Sequence, residues 1–503
     1  MTARPISRDV GKSHDVGSWR ADIFERVAND ARFAGLFATS RDTSTTLTAV
    51  LVEAEKVIAV DTDLTEDHYR SLTERVPAAF WYERALHELS GITPLGHPRL
   101  DPLLLPSEAT THPPRPGGAP ARTEGLTPAE LKGPTDVSGY GMFTIPHGPV
   151  RSGVFESVEY LIETPGEDIP HLNIRPHYKH RGIAKAFEGL TVDDGVLVAE
   201  RVEGISGVAH ALAFCHAVEA LAGLTIDEHT GLVRVVYAEL ERIANHLDVA
   251  MRLCDAAGLA VATARFGWHK ERVMRLTSGL CGSRFGRGVI VPGGVASRHA
   301  QPEPGWAQLD HDLMRLRRDV EADARVLMRT ASFLDRLRTT GILQPDLARR
   351  WGALGPVGRA SGVDDDHRRV RPYDGYRQLD VPAVDSGAGD AQARLAVRWQ
   401  EISAAFDLLH AAIPTLAGQP VAAPAATRAF TVPDGRGFGV AEAAQGEALH
   451  SVEIRDGLVV RCFARSASLH NLALFHDVFH GDIFTDFPFI EASFGLSIAG
   501  AAM

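Results

Sequence analysis

The stretch ERVEGISGVAH, residues 200–210, brings together three side-chain types that can move protons or bind a metal. Glu203 and Ser206 are three residues apart, a glycine follows each of them, and His210 comes four residues after Ser206. Two cysteines at this spacing would suit a soft transition metal, whereas carboxylate and hydroxyl oxygens suit a hard cation or proton transfer. The residue types leave three alternatives for this turn: proton handling, a hard-metal site such as magnesium, or structural filling of space.

The composition is that of an ordinary globular protein with an acidic balance. The chain has 503 residues, of which 45% are hydrophobic and 23% charged, and its net charge is −12. This length favours two or more folding units. The acidic balance argues against a nucleic-acid partner, because phosphate binding requires clustered Lys and Arg. No run of about 18 apolar residues occurs, so we expect no membrane span, and the first residues contain no apolar core typical of a signal peptide.

None of the four cysteines lies in a C-x-x-C pair. Zinc and iron–sulfur sites usually draw paired thiolates from one tight turn. We therefore expect no metal bound by this chain, and four reduced thiols in a cytoplasmic protein. The cysteines are Cys215, Cys254, Cys281 and Cys462.

The chain divides into two folding units on either side of a linker rich in proline and glycine. Residues 1–105 mix strand-like runs, such as TTLTAVLVEA and KVIAV, with helical stretches, which predicts an α/β domain. Residues 106–140 contain seven prolines and few apolar side chains, which is typical of an extended linker. Residues 141–503 form the third segment. GRGFGV at 435–440 is too loose a pattern to predict a nucleotide site.

The third segment is predicted to be mainly helical with a minor sheet, so that the whole chain is of α+β class. SVEYLIET, residues 157–164, reads as a strand. Apolar residues recur at three- and four-residue steps over 232–254, which predicts one buried helical face. Residues 308–337 and 393–413 repeat that pattern.

Several stretches match one family in the same order along the chain. They include HYKHRGIAKAFEG, AERVEGISGVAHALAFCHAVEALAG, VVYAELERIANHLDVA, LGPVGRASGVDDDHRRVRPYDGY and HDVFHGDIFTDFPFIEASFGLS. Together they resemble the large subunit of [NiFe] hydrogenases, especially the energy-converting, formate hydrogenlyase-type group, and its relative, the 49-kDa subunit of respiratory complex I. WYERALHELSGITPLGHPRLDPLLL resembles the 30-kDa subunit of complex I, which is fused ahead of the large subunit in some of these complexes.

The chain departs from the hydrogenase pattern at the positions that hold the metals. Hydrogenase large subunits bind nickel and iron through R-x-C-G-x-C near the start and D-P-C-x-x-C near the end, because soft thiolates favour this metal pair. The corresponding stretches here are RVEGIS at 201–206 and DFPFIE at 486–491, which put Pro488 and Glu491 in the last two thiolate positions. The resemblance therefore implies neither a nickel–iron site nor hydrogen turnover.

The chain also departs from complex I at its quinone-binding residues. The resemblance puts Phe155 at the position of a histidine and Gly204 at the position of a tyrosine, and these two residues hold the quinone headgroup in complex I. Related chains read H-R-G-x-E, whereas this chain has Ala184 in place of the glutamate after His180 and Arg181. A methyl group carries no proton, so that route is closed here or is replaced by water or by a nearby histidine.

The resemblance implies one remodelled cavity in place of the metal site. Glu203 and Glu491 are expected to share it, one with a raised pKa suited to proton transfer, or else each pairs with an arginine such as Arg181 or Arg201. His180 and Arg181 are expected to line the proton path or to contact a partner's iron–sulfur cluster. His210 is expected to face the small subunit. Further cavity positions are Ser206, Asp486 and Arg368.

Glu239, Arg242 and His246 stand at helical three- and four-residue steps and therefore share one face. Two interpretations stay open: an intrahelical salt bridge of small energetic value, or a polar seam at a contact between subunits.

The resemblance implies a cytoplasmic large subunit on the inner face of the cell membrane, attached through partners. The expected partners are a small subunit with a [4Fe–4S] cluster and polytopic antiporter-like membrane subunits, and this chain itself is expected to bind no cofactor. Its expected function is to couple electron transfer at the partner's cluster to ion translocation. The alternatives are a non-catalytic scaffold between the small subunit and the membrane arm, and a reductase of a quinone-type acceptor.

Overall fold

The computed structural model describes residues 15–41, 44–54, 56–105, 141–151, 156–296, 305–385, 387–418 and 430–503. The linker predicted at 106–140 and the position of Phe155 lie outside these ranges. The predicted division at 1–105, 106–140 and 141–503 therefore stays a prediction.

The N-terminal unit is a three-stranded meander with two helices and a short parallel strand pair. Its strands lie in the orders β1-β2-β3 and β4-β5. The elements are Val16–Ala28 (α1), Arg32–Arg41 (β1), Ser44–Glu53 (β2), Lys56–Leu64 (β3), His68–Arg70 (β4), Phe80–Ser90 (α2) and Thr93–Leu95 (β5). β-Branched residues fill β2, as expected of a strand. The pairs Leu36–Ala49 and Ala49–Val60 bury one face of the meander.

The described residues after 140 form two further antiparallel sheets of three and four strands, in the orders β6-β7-β8 and β12-β13-β14-β9, and a two-stranded ladder, β10-β11. The strands are Phe143–His147 (β6), Glu159–Thr164 (β7), His171–Arg175 (β8), Leu190–Thr191 (β9), Ile290–Val291 (β10), Gly294–Val295 (β11), Gly435–Ala443 (β12), Gly446–Arg455 (β13) and Leu458–Arg465 (β14). The predicted strand over 157–164 is confirmed as β7.

Helices dominate this second unit. They are Ile183–Ala186 (α3), Val192–Ala199 (α4), Gly207–Ala222 (α5), Glu228–Ala256 (α6), Ala260–Cys281 (α7), Trp306–Leu327 (α8), Ala331–Asp335 (α9), Pro345–Trp351 (α10), Gly355–Arg359 (α11), His367–Val370 (α12), Ala391–Gly418 (α13), Ala467–Ala473 (α14), Phe487–Phe494 (α15) and Ile498–Ala502 (α16). The predicted α+β class, with a mainly helical second unit and a minor sheet, is confirmed.

The sequence pattern over 308–337 does not form one helix. α8 ends at Leu327, and α9 begins at Ala331 after a turn. The Thr330 hydroxyl donates to the Val326 carbonyl, and the Thr330 N–H donates to the Leu327 carbonyl. These bonds satisfy carbonyl groups that a helix end leaves without a partner.

Glycines allow α5 to lie directly on β12. A Cβ atom at Gly437 would be 2.0 Å from the Ala217 carbonyl oxygen, and one at Gly439 would be 2.0 Å from the Ala213 carbonyl oxygen. GRGFGV is thus a packing motif within a strand, because only glycine lets the two backbones approach this closely.

The two units share a hydrophobic core. The rings of Phe37 on β1 and Phe463 on β14 stack with centroids 4.7 Å apart. Arg32 on β1 forms an ion pair with Glu447 on β13 at 2.6 Å. The N-terminal unit is therefore fixed against the sheet that supports α5.

Candidate functional site

Glu203 lies in the turn between α4 and α5 and is almost fully buried, with 2% of its surface exposed. Its Oε2 accepts a hydrogen bond of 2.8 Å from the Ser466 hydroxyl at the start of α14. A Cβ atom at Gly500 on α16 would lie only 1.9 Å from this oxygen. The carboxylate therefore fills space that a side chain at Gly500 would otherwise occupy.

His210 lies on α5 and is wholly buried. Its Nε2 is 3.4 Å from Glu203 Oε1, an ion-pair distance at which the alignment falls short of a hydrogen bond. Its Nδ1 is 2.9 Å from Nε2 of His450 on β13. The expectation that His210 faces a small subunit needs correction, because both ring nitrogens face groups of this chain.

Ser206 is fully buried and does not contact Glu203 through a hydrogen bond. Its hydroxyl donates to Gln445 Oε1 at 2.7 Å, in the turn between β12 and β13. Ser206 precedes α5, yet it does not cap that helix with its own side chain. Among the described residues, no group of three or more His, Cys, Asp or Glu side chains is arranged to hold a metal ion.

Glu241 on α6 supplies the cap that Ser206 does not. Its two carboxylate oxygens accept hydrogen bonds from the backbone N–H groups of Val208 at 2.7 Å and Ala209 at 3.0 Å. Burial raises the pKa of Glu241 to about 8, against the lowering effect of these two N–H groups, and the charge of Glu203 raises it further. Glu241 is therefore an acid whose pKa depends on the charge of Glu203.

Glu241 also lines a cleft of about 90 Å³ between α6 and α7. Gly204 forms part of the cleft wall, and a Cβ atom at this glycine would contact no atom within 4 Å. The buried Tyr237 hydroxyl and Asn245 Oδ1 line the same cleft, and neither has a hydrogen-bond partner among the described residues. The volume and these polar atoms suit several water molecules beside Glu241.

Sequence reasoning missed Glu241, although it lies in the quoted stretch VVYAELERIANHLDVA. A carboxylate that caps a different helix leaves no local spacing signal, because the two N–H groups lie more than thirty positions away. The same reason hid His450 and Ser466, which lie on β13 and at the start of α14.

Glu491 on α15 has a different environment from Glu203. It pairs with Arg151 at 2.6 Å and accepts a hydrogen bond of 2.9 Å from the Tyr160 hydroxyl. The arginine is Arg151, and neither Arg181 nor Arg201 forms this pair. No hydrogen bond or ion pair in the described part of the chain joins Glu491 to Glu203, and the cavity expected to be shared by these two acids stays a prediction.

Asp486 lies at the N-terminal end of α15. Its Oδ2 accepts a hydrogen bond from the Ile483 N–H at 3.2 Å, and its Oδ1 is 3.3 Å from Arg336. These contacts fix the turn that begins the helix. They do not bring Asp486 to Glu203 or His210.

His180 and Arg181 tie the Glu203 turn to the end of the described chain. His180 Nδ1 donates to the Ala502 carbonyl at 2.7 Å, and burial lowers the pKa of its imidazole. Arg181 donates to the Arg201 carbonyl at 2.8 Å and to the Val202 carbonyl. Burial lowers the pKa of Arg181, and the charges of Glu156 and Glu203 oppose that effect. Arg181 therefore holds the backbone immediately before Glu203.

Arg368 lies inside the helical unit and not on a cavity wall beside Glu203. It pairs with Asp366 at 2.7 Å and with Glu239 at 3.2 Å, and all three are buried. Glu239 also pairs with Arg242 at 3.1 Å. Of the two interpretations left open for Glu239 and Arg242, these contacts favour the intrahelical salt bridge, because the side chains pair within this chain.

A second group of buried charges continues this network. His246 Nε2 is 2.9 Å from Glu401 Oε2, and Glu401 also pairs with Arg359. Arg359 in turn pairs with Glu442. Burial alone would raise the pKa of Glu401, but Arg359, followed by His246 and Arg242, holds it well below its usual range. We call this set the arginine network: Glu239, Arg242, His246, Arg359, Asp366, Arg368, Glu401 and Glu442.

The fold and the site define a large-subunit-type protein with a small α/β unit ahead of it. Residues 258–430 match the family described as "Respiratory-chain NADH dehydrogenase, 49 Kd subunit", and residues 23–120 match "Respiratory-chain NADH dehydrogenase, 30 Kd subunit". The chain belongs to the 49 Kd subunit family and carries a domain of the 30 Kd type at its N-terminal side.

Curated relatives agree with this assignment. The chain is 28% identical over 449 residues to formate hydrogenlyase subunit 5 of Escherichia coli, covering 87% of this chain and 77% of that protein. It is 30% identical over 278 residues to the D-type subunit of NADH-quinone oxidoreductase from Deinococcus radiodurans, covering 55% and 69%. It is 28% identical over 368 residues to the C/D-type subunit of the same enzyme from Shewanella oneidensis, covering 69% of this chain but only 60% of that protein.

A solved structure has the same fold. One chain of the membrane-bound sulfane sulfur reductase, an archaeal respiratory membrane complex, matches with a TM-score of 0.67 at 22% identity. The match covers 72% of this chain and 99% of that chain. In the part of this chain that the structure describes, no helix combines the length and apolar character that crossing a membrane requires.

Proposed function

We propose that this chain is a peripheral subunit of a membrane-bound oxidoreductase complex, on the cytoplasmic face of the membrane. Its partners in this proposal are a small subunit with a [4Fe–4S] cluster and antiporter-like membrane subunits. The proposal is supported by the fused 49 Kd and 30 Kd modules and by the similarity to formate hydrogenlyase subunit 5. The chain would couple electron transfer at the partner's cluster to ion translocation.

The residues present do not fit a nickel–iron centre. The oxygens that replace three of the four thiolates already have partners: Glu203 binds Ser466, Ser206 binds Gln445, and Glu491 binds Arg151. Pro488 at the fourth position offers no side-chain donor atom. We therefore propose no hydrogen turnover and no metal-dependent step for this chain.

Proton handling by Glu203 and Glu241 is the chemistry that the site supports best. The observation that carries it is the environment of the two acids: Glu203 is buried against Ser466, and the partly buried Glu241 accepts from two backbone N–H groups. Among the described residues, no arginine lies at ion-pair distance from either acid. A carboxyl group held near neutral pH by burial can take up and release a proton in the physiological range. Ion movement in the membrane partners would then respond to the charge of this site.

The first test is purification of the tagged full chain from mildly solubilised membranes, with its partners identified by mass spectrometry. Recovery with an iron–sulfur subunit and polytopic membrane proteins supports the proposal. Recovery of the chain alone would contradict it.

The second test uses the Glu203→Gln, Glu241→Gln double variant in the purified complex. Electron transfer to a viologen dye and acidification of vesicles are measured side by side. We expect the double variant to lose acidification while the set of subunits in the complex stays the same. Asp346→Asn is the matched control, because Asp346 is an exposed acid on α10 whose side chain is 91% accessible.

A scaffold function is the second candidate, and the arginine network favours it. Buried, fully paired charges fix a structure but offer no free proton acceptor. If the double variant keeps both activities and only network variants disturb assembly, the scaffold function is the better description. Quinone-dependent activity that the double variant retains would instead point to the quinone-type acceptor.

A further inference from the structure

A line of buried polar side chains runs from Glu203 into the core beneath β13 and β14. His210 Nε2 is 3.4 Å from Glu203 Oε1, and His210 Nδ1 is 2.9 Å from His450 Nε2. His450 Nδ1 is 3.8 Å from the Cys462 sulfur. His210, His450 and Cys462 are all 0% exposed, so water does not compete for these contacts.

The distances define one order of donors and acceptors along this line. A neutral imidazole has one N–H and one lone pair. The hydrogen of His210 belongs on Nε2, because a lone pair there would face a carboxylate oxygen of Glu203. His210 Nδ1 is then an acceptor, so His450 must donate from Nε2. His450 Nδ1 is left to accept from the Cys462 thiol.

The surroundings keep His450 and Cys462 neutral. Burial lowers the pKa of His450 well below its usual value, and the charges of His210 and Arg465 add to that effect. The rings of Phe187 and Phe214 meet His450 edge to face, at 6.3 Å and 6.1 Å between centroids. Burial also raises the pKa of the Cys462 thiol.

We propose that His450 is a positioning residue that holds His210 as its Nε2–H tautomer and thereby keeps that N–H on the side of Glu203 Oε1. Protons are then not transferred along the line from Cys462 through His450 and His210 to Glu203. If His210 passed its proton to Glu203, a proton would have to follow from His450 Nε2 and another from the thiol to His450 Nδ1. The product would be a buried thiolate, which the apolar core disfavours.

Two serine hydroxyls lie on the other side of Glu203. Ser466 donates to its Oε2 at 2.8 Å, and the Ser468 hydroxyl is 3.5 Å away. Ser497 N–H donates to Ser468 Oγ, and the Ser497 hydroxyl donates to Glu156 at 3.1 Å. The relevance to proton movement rests on the proposed function, whereas the tautomer of His210 is a property of this chain alone.

The test is long-range proton–nitrogen NMR of the full chain labelled with ¹⁵N-histidine. The chain has 22 histidines, so His210 and His450 are assigned from single variants. We expect both residues as single Nε2–H tautomers. His470 is an internal reference, because its Nε2 is 2.7 Å from the Trp351 carbonyl and must carry the hydrogen. An Nδ1–H tautomer of His210 in the unaltered chain would overturn the proposal.

Two variants distinguish the hydrogen bond that His450 donates from the space that its ring fills. His450→Phe keeps a ring but removes the donor, and we expect His210 to change from one tautomer to a mixture. His450→Gln keeps an N–H donor, and we expect the single Nε2–H tautomer to be retained. An unchanged His210 in His450→Phe, or the same mixture in both variants, would refute the positioning role.

The matched control is His470→Gln, which alters a buried histidine outside this line. We expect it to leave the His210 signals unchanged, and a tautomer change there would overturn the specific role of His450. If His450→Phe does not fold, the His210 tautomers measured in the unaltered chain and in His450→Gln still test the proposal. None of these spectra requires partner subunits, so failure of the membrane-complex proposal leaves this test intact.

Discussion

Two sets of buried carboxylates lie in the same helical unit, and they are stabilised in different ways. In the arginine network, Glu239 and Glu401 each contact arginine side chains. At the second site, Glu203 accepts a hydrogen bond from Ser466 and lies near the His210 imidazole, and the hydrogen bonds that Glu241 accepts from described residues come from backbone N–H groups. Among the described residues, only the first set pairs its carboxylates with arginines.

The comparison separates a structural role from a chemical one. Arginine partners hold the pKa of Glu401 well below its usual range against the effect of burial, so this carboxylate stays ionised at any physiological pH. Burial without an arginine at ion-pair distance raises the pKa of Glu241 to about 8, against the lowering effect of two backbone N–H groups and the more distant Arg242, so its proton can be bound or released near this pH. Burial of an acid therefore says little about function until its partners are known.

The largest expected effect comes from Arg359→Met in the arginine network. This change removes the cation that Glu401 and Glu442 share, and both carboxylates stay buried. We expect the free energy of unfolding to fall by about 3–5 kcal/mol, because an uncompensated buried charge is costly. Denaturant titration of the full chain measures it. Arg349→Met is the control: its pair with Asp346 is exposed, and we expect a loss of about 0.5 kcal/mol or less. Equal losses would refute the distinction.

The next effect is a pH dependence at Glu241. Its pKa is raised in the folded chain from 4.5 to about 8, so the folded state binds the extra proton and stability is lost as the pH rises through this interval. Glu241→Gln mimics the protonated side chain and lacks that loss. We expect the unaltered chain to lose about 3 kcal/mol relative to the variant between pH 5 and pH 8.

Unfolding midpoints of both proteins at several pH values check this prediction. Glu88 and Asp482 also have raised pKa values, about 7 and about 6, but they contribute equally to both proteins and cancel in the difference. A difference that does not change with pH would show that Glu241 stays ionised. The arginine network predicts the opposite sign: Glu401 loses its stabilising charge only as the pH falls below about 4.5.

A smaller effect is expected from the space around Glu203. At Gly500→Ala, the new methyl carbon would meet Glu203 Oε2 at 1.9 Å, so the carboxylate must move away from Ser466. We expect a loss of about 1–3 kcal/mol, as for other overpacked interiors. Gly204→Ala is the matched control, because its methyl group would contact no atom within 4 Å. Similar losses in both variants would mean that Glu203 is not held where the structure puts it.

The sequence predicted the local elements better than the site. Periodicity over 232–254 predicted the buried face of α6, and the β-branched residues in TTLTAVLVEA predicted β2. Both predictions succeeded because each pattern involves residues that are only a few positions apart in the chain. The break at residues 328–330 carried no glycine or proline to reveal it. Glu203 and His210 lie close together because Glu203 is in the turn before α5 and His210 is in the first turn of that helix.

The partners of these residues could not be predicted, because they come from remote strands and helices. Glu491 was assigned to Glu203 by the order of motifs, but α15 directs it to Arg151 and Tyr160. Glu241 and His450 were absent from the predicted site for the same reason. Sequence patterns along a helix report which residues share a face, and they carry no information about which remote chain segment covers it.

The smallest expected effect is the coupling between pairs of acids, which tests the comparison directly. Glu203→Gln and Glu241→Gln are expected to be non-additive by about 1 kcal/mol at pH 8.5, above the pKa of Glu241, because the charge of Glu203 acts on Glu241. Glu203→Gln and Glu491→Gln are expected to add within about 0.5 kcal/mol, because Glu491 is neutralised by Arg151. Double-mutant cycles from denaturant titrations measure both couplings. If the second exceeds the first, Glu203 shares its cavity with Glu491 after all, and the proton-handling pair must be assigned to those two acids.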